Sequence, residues 1–239
     1  VIVSYHLAKK QYIFPVASLI TSALMATGIV MSHASITDIV QVIFGAGIFG
    51  LSLMTLMHVF ESRLAFVTTN VLDFFEAFTR APRVARPAHG RRILIFNWRD
   101  TRHVFTGGAE VYVHEIAKRF VAQGDYVMLF CGNDGQSPRN EVVDGIQVVR
   151  RGGFYFVYLW AFVYYFTQFR GNYDVIIDCH NGIPFFTPLY VKEPVISVVH
   201  HIHQEVFRRQ LKFPLSTMAR FLEGSLMPRV YRKIKVITV

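Results

Sequence analysis

Residues 92–117 read RILIFNWRDTRHVFTGGAEVYVHEIA, and their reading decides the architecture. Arg92–Asn97 is a short, nearly continuous apolar run, the pattern of a strand buried on both faces. Trp98–Thr106 follows as a loop. Gly107-Gly108-Ala109-Glu110 then opens a helix predicted over Ala109–Gln123. Val113, Ile116, Ala117 and Phe120 share one face of that helix, and Gly124 stops it. Strand, loop and helix in this order form the first part of a parallel α/β unit.

The pattern repeats downstream. Tyr126–Cys131, Ile146–Arg150, Asp174–Cys179 (DVIIDC) and Pro194–His200 (PVISVVH) read as strands, and Val236–Val239 as a last one. Phe154–Phe169 and Ser216–Lys233 read as helices, and Gly132–Gly145 as loop. The fold class expected is α/β: a Rossmann-like parallel sheet with helices on both faces. Phe154–Phe169 carries no charge, yet it is short for a membrane span. A crossing there would split one sheet across a bilayer, which backbone hydrogen bonding forbids. It is read as a covering helix whose aromatics pack in the core, in preference to touching lipid or an acyl acceptor.

Upstream, no Asp, Glu, Lys or Arg occurs from Gln11 to Thr37 or from Ile39 to Phe60. Each run covers the roughly 20 residues a helix needs to cross a bilayer. A transmembrane hairpin is expected over residues 1–62, with spans at about 14–33 and 39–60 joined by a polar turn, Ser32–Asp38. Gly45, Ala46, Gly47 and Gly50 form a small-residue face for close helix approach. Lys9 and Lys10 precede the first span, and Arg63 and an arginine group follow the second. The positive-inside rule places both ends, and the α/β domain, in the cytoplasm. Residues 63–90 hold an amphipathic helix, Val67–Phe78, suited to the lipid interface or to packing on the domain. Its linker, Ala81–Arg91, contains Pro82 and Pro87. The α/β domain takes residues 91–239. The first residue is Val and the last four read as a strand cut short, so a fragment of a longer protein is expected.

The formal net charge of +9 lies almost wholly beyond residue 60, because Lys9, Lys10 and Asp38 are the only charged residues before it. Arg80, Arg83, Arg86, Arg91 and Arg92 form one acid-free stretch. Without aromatic interleaving or a recognisable module it does not indicate nucleic acid; anionic lipid headgroups or a solvated linker fit it. Cys131 and Cys179 read as buried thiols.

Ligands in open α/β sheets bind beyond the carboxyl ends of the strands. Four segments lie there. Gly107 and Gly108 let a ligand approach the backbone where a helix start offers N–H groups to an anion. Glu110 sits in that first turn, where it favours the helix dipole, a structural role preferred to a catalytic one. Asp178–Gly182 (DCHNG) places His180 and Asn181 toward the cleft. His200-His201-Ile202-His203 ends the next strand, and neutral imidazoles both donate to and accept from sugar hydroxyls. Glu205 is the only nearby carboxylate, so no metal site is assigned. Gly132–Gly135 reads as a turn.

The combination of NWRD (Asn97–Asp100), GGAEVYVHEIA (Gly107–Ala117), NGIPFFTP (Asn181–Pro188) and VVHHIH (Val198–His203) resembles the N-terminal half of GT-B glycosyltransferases of family 4 over about residues 91–239. The resemblance implies two facing Rossmann-like domains, with the acceptor in the N-terminal one and the nucleotide sugar in a C-terminal one carrying E-x7-E. It implies a mostly retaining, metal-independent reaction without a cofactor. Gly107 and Gly108 match the glycine loop, and His200 the active-site histidine. His180, Asn181 and His201 join Gly107 and Gly108 as candidate substrate contacts. The hairpin is not part of the usual family pattern.

The function expected is therefore a membrane-anchored transferase using a nucleotide sugar and a lipid-linked or glycan acceptor. This fragment, without the donor domain, is expected to be inactive alone. The alternative is a non-catalytic, membrane-anchored α/β module, and the presence of a second Rossmann-like unit distinguishes the two. A dinucleotide oxidoreductase is disfavoured by the missing G-x-G-x-x-G.

Overall fold

The computed structural model describes residues 2–8, 12–79 and 87–239. Lys9, Lys10, Arg80, Arg83 and Arg86, with Pro82 of the linker, lie outside the described residues. The chain divides into two compact units, one up to Thr68 and one from Thr69.

In the first unit, α1 (Ile2–Ala8) precedes α2 (Ile13–Met31) and α3 (Ile36–Val59). Among the described residues, α2 and α3 are the two helices long and apolar enough to cross a membrane. The predicted polar turn is shorter than expected. Ser35 caps α3, its hydroxyl accepting from Asp38 N at 3.2 Å while Asp38 returns a bond to Ser35 N at 3.0 Å. This capping box pulls the helix start forward to Ile36. The close approach of α2 and α3 also differs from the expectation. A Cβ on Gly45 or Gly47 would meet nothing within 4 Å, whereas one on Gly28 would lie 2.9 Å from Val42 Cγ1 and one on Gly50 3.7 Å from Thr21. Gly28 and Gly50 make the contact.

The second unit is built on a sheet. Among the described residues it has seven strands: β1 (Arg92–Phe96), β2 (Tyr126–Cys131), β3 (Asn140–Val143), β4 (Ile146–Arg150), β5 (Val175–Asn181), β6 (Val195–His201) and β7 (Lys235–Thr238). Their order is β3-β4-β2-β1-β5-β6-β7, and every pairing is parallel except β3 with β4. The mixed α/β class is the one the alternating pattern implied. β3 was read as loop. Asp144 (φ 50°) and Gly145 (φ 81°) make the two-residue turn of a β3–β4 hairpin, and left-handed φ at both positions is what such a turn requires. The polar, half-exposed sequence NEVV gave no apolar run to detect.

Strand alternation sorts the core into two layers. Ile93, Ile95, Val127 and Leu129 face α5 (Gly108–Ala122), which contributes Val113 and Ala117. Leu94, Phe96 and Phe130 face α6 (Gly153–Tyr164), which contributes Trp160 and Tyr164. Each such fully buried Ile, Leu or Phe contributes about 1.5–3 kcal/mol. α6 is a covering helix and ends in a π turn, Tyr165–Phe169. α7 (Gln204–Gln210) was not foreseen. The helix expected over Ser216–Lys233 is instead α8 (Leu215–Phe221), a π turn (Leu222–Leu226) and α9 (Met227–Val230). The π turn faces Glu223 inward, where it accepts from His203 N at 2.7 Å and Gln204 Nε2 at 2.7 Å.

The amphipathic helix expected at Val67–Phe78 is the end of α4 (Glu61–Phe78). From Thr69 on it docks by its polar face. Asn70 Oδ1 accepts from Trp160 Nε1 at 2.8 Å, and Asp73 accepts from Gly152 N at 2.8 Å and Arg139 at 2.7 Å. Glu76 pairs with Arg139 at 2.9 Å and Arg151 at 2.7 Å.

Candidate active site

The chain leaves β1 outward through β2 to β4, then returns to the other side of β1 at β5. The carboxyl ends of β1 and β5 therefore flank a topological switch point, where open α/β sheets bind ligands. The β1–α5 loop and the tips of β5 and β6 meet there. A register shift between His180 and Asn181 re-aims the β5 tip.

Glu110 is the hub. It is 2% exposed and sits in the first turn of α5. Its carboxylate accepts from Gly107 N at 2.7 Å, from Arg99 Nε at 3.2 Å and from Asn181 Nδ2 at 2.6 Å. One buried anion thus locks the diglycine loop to the loop after β1 and to the end of β5. The dipole role read from the sequence understates this.

His200 lies on the same face of the sheet. Its ring packs edge-on to Tyr112 of α5, with centroids 5.5 Å apart. Nε2 is buried and has no hydrogen-bond partner among the described residues. Burial pushes the His200 pKa below the usual imidazole value, opposed by Glu110 and reinforced by His180. The imidazole is therefore neutral at pH 7 and can hydrogen-bond a hydroxyl in either sense.

The six candidate residues do not all converge. Gly107 and Asn181 hydrogen-bond Glu110, Gly108 opens the helix beside them, and His200 packs on Tyr112 of the same helix. His180 and His201 alternate to the opposite sheet face. His180 is 1% exposed, 3.3 Å from Ser197 Oγ and 3.5 Å from Asp178, with its ring 4.5 Å from that of Tyr231. It does not project into the cleft as expected. Asp178, beneath it, accepts from Thr187 Oγ1 at 2.6 Å and Tyr231 OH at 2.5 Å, which ties down the segment after β5. His201 is exposed, its ring 4.8 Å from His203. No group of three or more metal-ligating side chains occurs among the described residues.

Sequence reasoning passed over Arg99 and Asn97. The Arg99 guanidinium pairs with Glu110 and lies 4.3 Å over the Trp98 ring. Asn97 is fully buried, its Nδ2 donating to Arg99 O at 2.8 Å. An arginine three residues past a buried strand, one loop ahead of an acidic helix start, was the available signal.

The sequence model of Glycosyltransferase Family 4 matches residues 106–239, more than half of the chain. The chain belongs to Glycosyltransferase Family 4. The match begins one residue before Gly107 and includes α5, Asn181 and His200, while β1 and Arg99 precede it. A comparison with curated proteins finds no match. The family match supports a glycosyltransferase-type function.

Burial also lowers the pKa values of His180 and His203. In the unfolded chain these groups and His200 titrate near 6.5. Between the unfolded and the depressed folded values the unfolded state binds more protons, so stability falls as pH falls. The thermal midpoint is expected to drop between about pH 7.5 and about pH 5.5. A midpoint that rises toward acid would contradict the neutral, buried state of these imidazoles.

Proposed function

We propose that this chain is the acceptor-side half of a membrane-anchored GT-B transferase, moving a sugar from a nucleotide-diphosphate donor to a lipid-linked acceptor. The observation that carries this reading is that Gly107 and Asn181 both hydrogen-bond Glu110 at the switch point, while His200 packs on Tyr112 of the same helix. In the reaction, the bond from the sugar's anomeric carbon to the diphosphate oxygen breaks. A bond to the acceptor hydroxyl oxygen forms, and the hydroxyl proton passes to the departing diphosphate oxygen. His200 Nε2 orients that hydroxyl or the donor sugar. Backbone N–H groups at the start of α5, which have no intrahelical acceptor, stabilise charge developing on the diphosphate. The donor's nucleotide is held by a second Rossmann-like domain carrying E-x7-E, and the transfer is retaining and needs no metal. Alone, residues 1–239 are inactive.

The lipid acceptor is favoured because α2 and α3 have membrane-crossing length and apolarity. An enzyme and an acceptor held at one surface meet without a search through solution. The excess of Lys and Arg around the hairpin's two ends puts the α/β domain on the cytoplasmic side. In this reading residues 1–62 are the anchor, 63–90 the connecting helix and linker, and 91–239 the acceptor domain.

The glycine pair offers a discriminating variant. Gly107 has an extended φ of −144° and Gly108 is helical, so neither needs glycine for its backbone shape. A Cβ on Gly108 would meet no protein atom within 4 Å. Gly108→Val is therefore expected to leave the thermal midpoint nearly unchanged while raising KM for the nucleotide sugar and lowering turnover. Normal kinetics in the folded variant would remove the diglycine from the donor path. The substrate test uses membranes carrying the full-length protein, a panel of labelled nucleotide sugars, and extracted lipid supplied or withheld. Label is expected in the lipid fraction for one donor class. Transfer to soluble glycan alone would replace the lipid-linked acceptor.

A further inference from the structure

The surface of the α/β unit carries an inversion of polarity that the cleft does not explain. A helix on a water-soluble domain turns its apolar stripe inward and its charges outward. The docked part of α4 does the reverse. Asp73 is 0% exposed, while Phe75 is 65% and Phe78 63% exposed. The inward face is held by Asn70, Asp73 and Glu76 through the bonds to Trp160, Gly152, Arg139 and Arg151. The outward face is Val71, Leu72, Phe74, Phe75 and Phe78.

α6 lies alongside and is apolar on its outer face as well as its inner one. The two helices are tied by Asn70 to Trp160 and by Tyr164 OH to Asp73 O at 3.3 Å, and the π turn by Gln168 Nε2 to Glu76 O at 2.6 Å. With its π turn, α6 has no charged residue before Arg170, and its solvent side is Tyr155, Leu159, Phe162 and Phe166 at helical spacing. The two helices together present one aromatic, uncharged face. A contiguous apolar face on a folded unit marks a contact surface.

We propose that this α4–α6 face lies in the acyl–headgroup boundary of a lipid bilayer. Its aromatic, uncharged composition matches interfacial protein segments. The sequence also enters it directly from the second membrane-length helix, with only Phe60 between α3 and α4. Arg170, whose guanidinium lies 5.8 Å over the Phe166 ring, sits at the far end of the stripe, where a cation meets headgroups. The face reaches the rim of the cleft. Phe154, at the start of α6, packs on Trp98 with centroids 4.5 Å apart, and Trp98 carries the Arg99 that binds Glu110. A lipid-linked acceptor lying in the same bilayer would then enter at the Trp98–Phe154 edge. The inference rests on the membrane reading of the hairpin and adds a second, independent lipid contact to it.

The test places an environment-sensitive fluorophore by single-cysteine substitution in the full chain, reconstituted in phosphatidylcholine–phosphatidylglycerol vesicles with doxyl-labelled acyl chains. Cys131 and Cys179 are buried, and burial raises both thiol pKa values well above normal, so neither competes for label. Labels go on Phe75→Cys, Phe162→Cys, the half-exposed Lys118→Cys of α5 and, within the hairpin, Ile43→Cys. Labels at 75, 162 and 43 are expected to be quenched by the doxyl lipid at least about twofold more than the label at 118, because a face at the boundary sits about 5–10 Å into the headgroup region. If only position 43 is quenched and 75 and 162 remain open to aqueous iodide, the proposal fails while the anchored hairpin stands. If none of the three is quenched, both fail. If 75 and 162 are shielded from iodide but indifferent to doxyl lipid, a second copy or another protein covers the face and the proposal is overturned.

Discussion

His200→Ala in the full-length enzyme is expected to lower turnover by about 100-fold or more, the usual contribution of a positioned imidazole, with the thermal midpoint nearly unchanged. His200 Nε2 is buried at the tip of β6 without a partner among the described residues, so its removal costs the fold no hydrogen bond. The ring packs edge-on against Tyr112, and truncation opens a small space there. Activity and stability should therefore separate. The pH profile gives a second readout. The depressed imidazole pKa keeps His200 neutral across the neutral range, so the acidic limb of turnover should lie below the ordinary histidine value and vanish in His200→Ala. Full turnover in the alanine variant would remove His200 from the reaction.

Glu110→Ala is expected to do the opposite, with a large loss of stability that carries activity down with it. The substitution leaves the Arg99 guanidinium, whose side chain is 14% exposed, without its anion, and frees Asn181 and the Gly107 amide together. Removing one partner of a buried pair costs about 3–5 kcal/mol. Glu110→Gln should be intermediate. An amide oxygen at the Oε1 position still serves Arg99 and Asn181, and the amide NH2 then faces the Gly107 N–H. The check is a chemical-denaturation midpoint for both variants. A midpoint for Glu110→Ala equal to that of the parent would show that the hub does not hold the loops.

What the sequence made legible divides along physical lines. β2 and β4 match their predicted bounds because apolar runs between turn residues carry their own signal. β3 escaped because an edge strand needs no apolar run, although Asp144-Gly145 marked its hairpin. The π turn at Leu222–Leu226 escaped because its cause is a long-range bond, Glu223 to the amide of His203. At the cleft, the glycine pair and the strand-end residues were visible because strand ends in an α/β sheet are where ligands go. The link through Arg99, Glu110 and Asn181 was not. Asn181 and Glu110 stand 71 residues apart, and only the pairing of β1 with β5 brings them together. Strand parity also separated His180 from Asn181, which adjacency in sequence had joined. On α4 the periodicity showed two faces, and nothing local told which of them the domain would bury.

The central claim is that the start of α5 and the tip of β6 form one substrate site. Hydrogen exchange on the full-length enzyme, with and without nucleotide sugar and lipid acceptor, measures this directly. The account predicts that Gly107–Tyr112 and Val198–His203 gain protection together when both substrates are present. Turnover with both segments exchanging as in the free enzyme would contradict it.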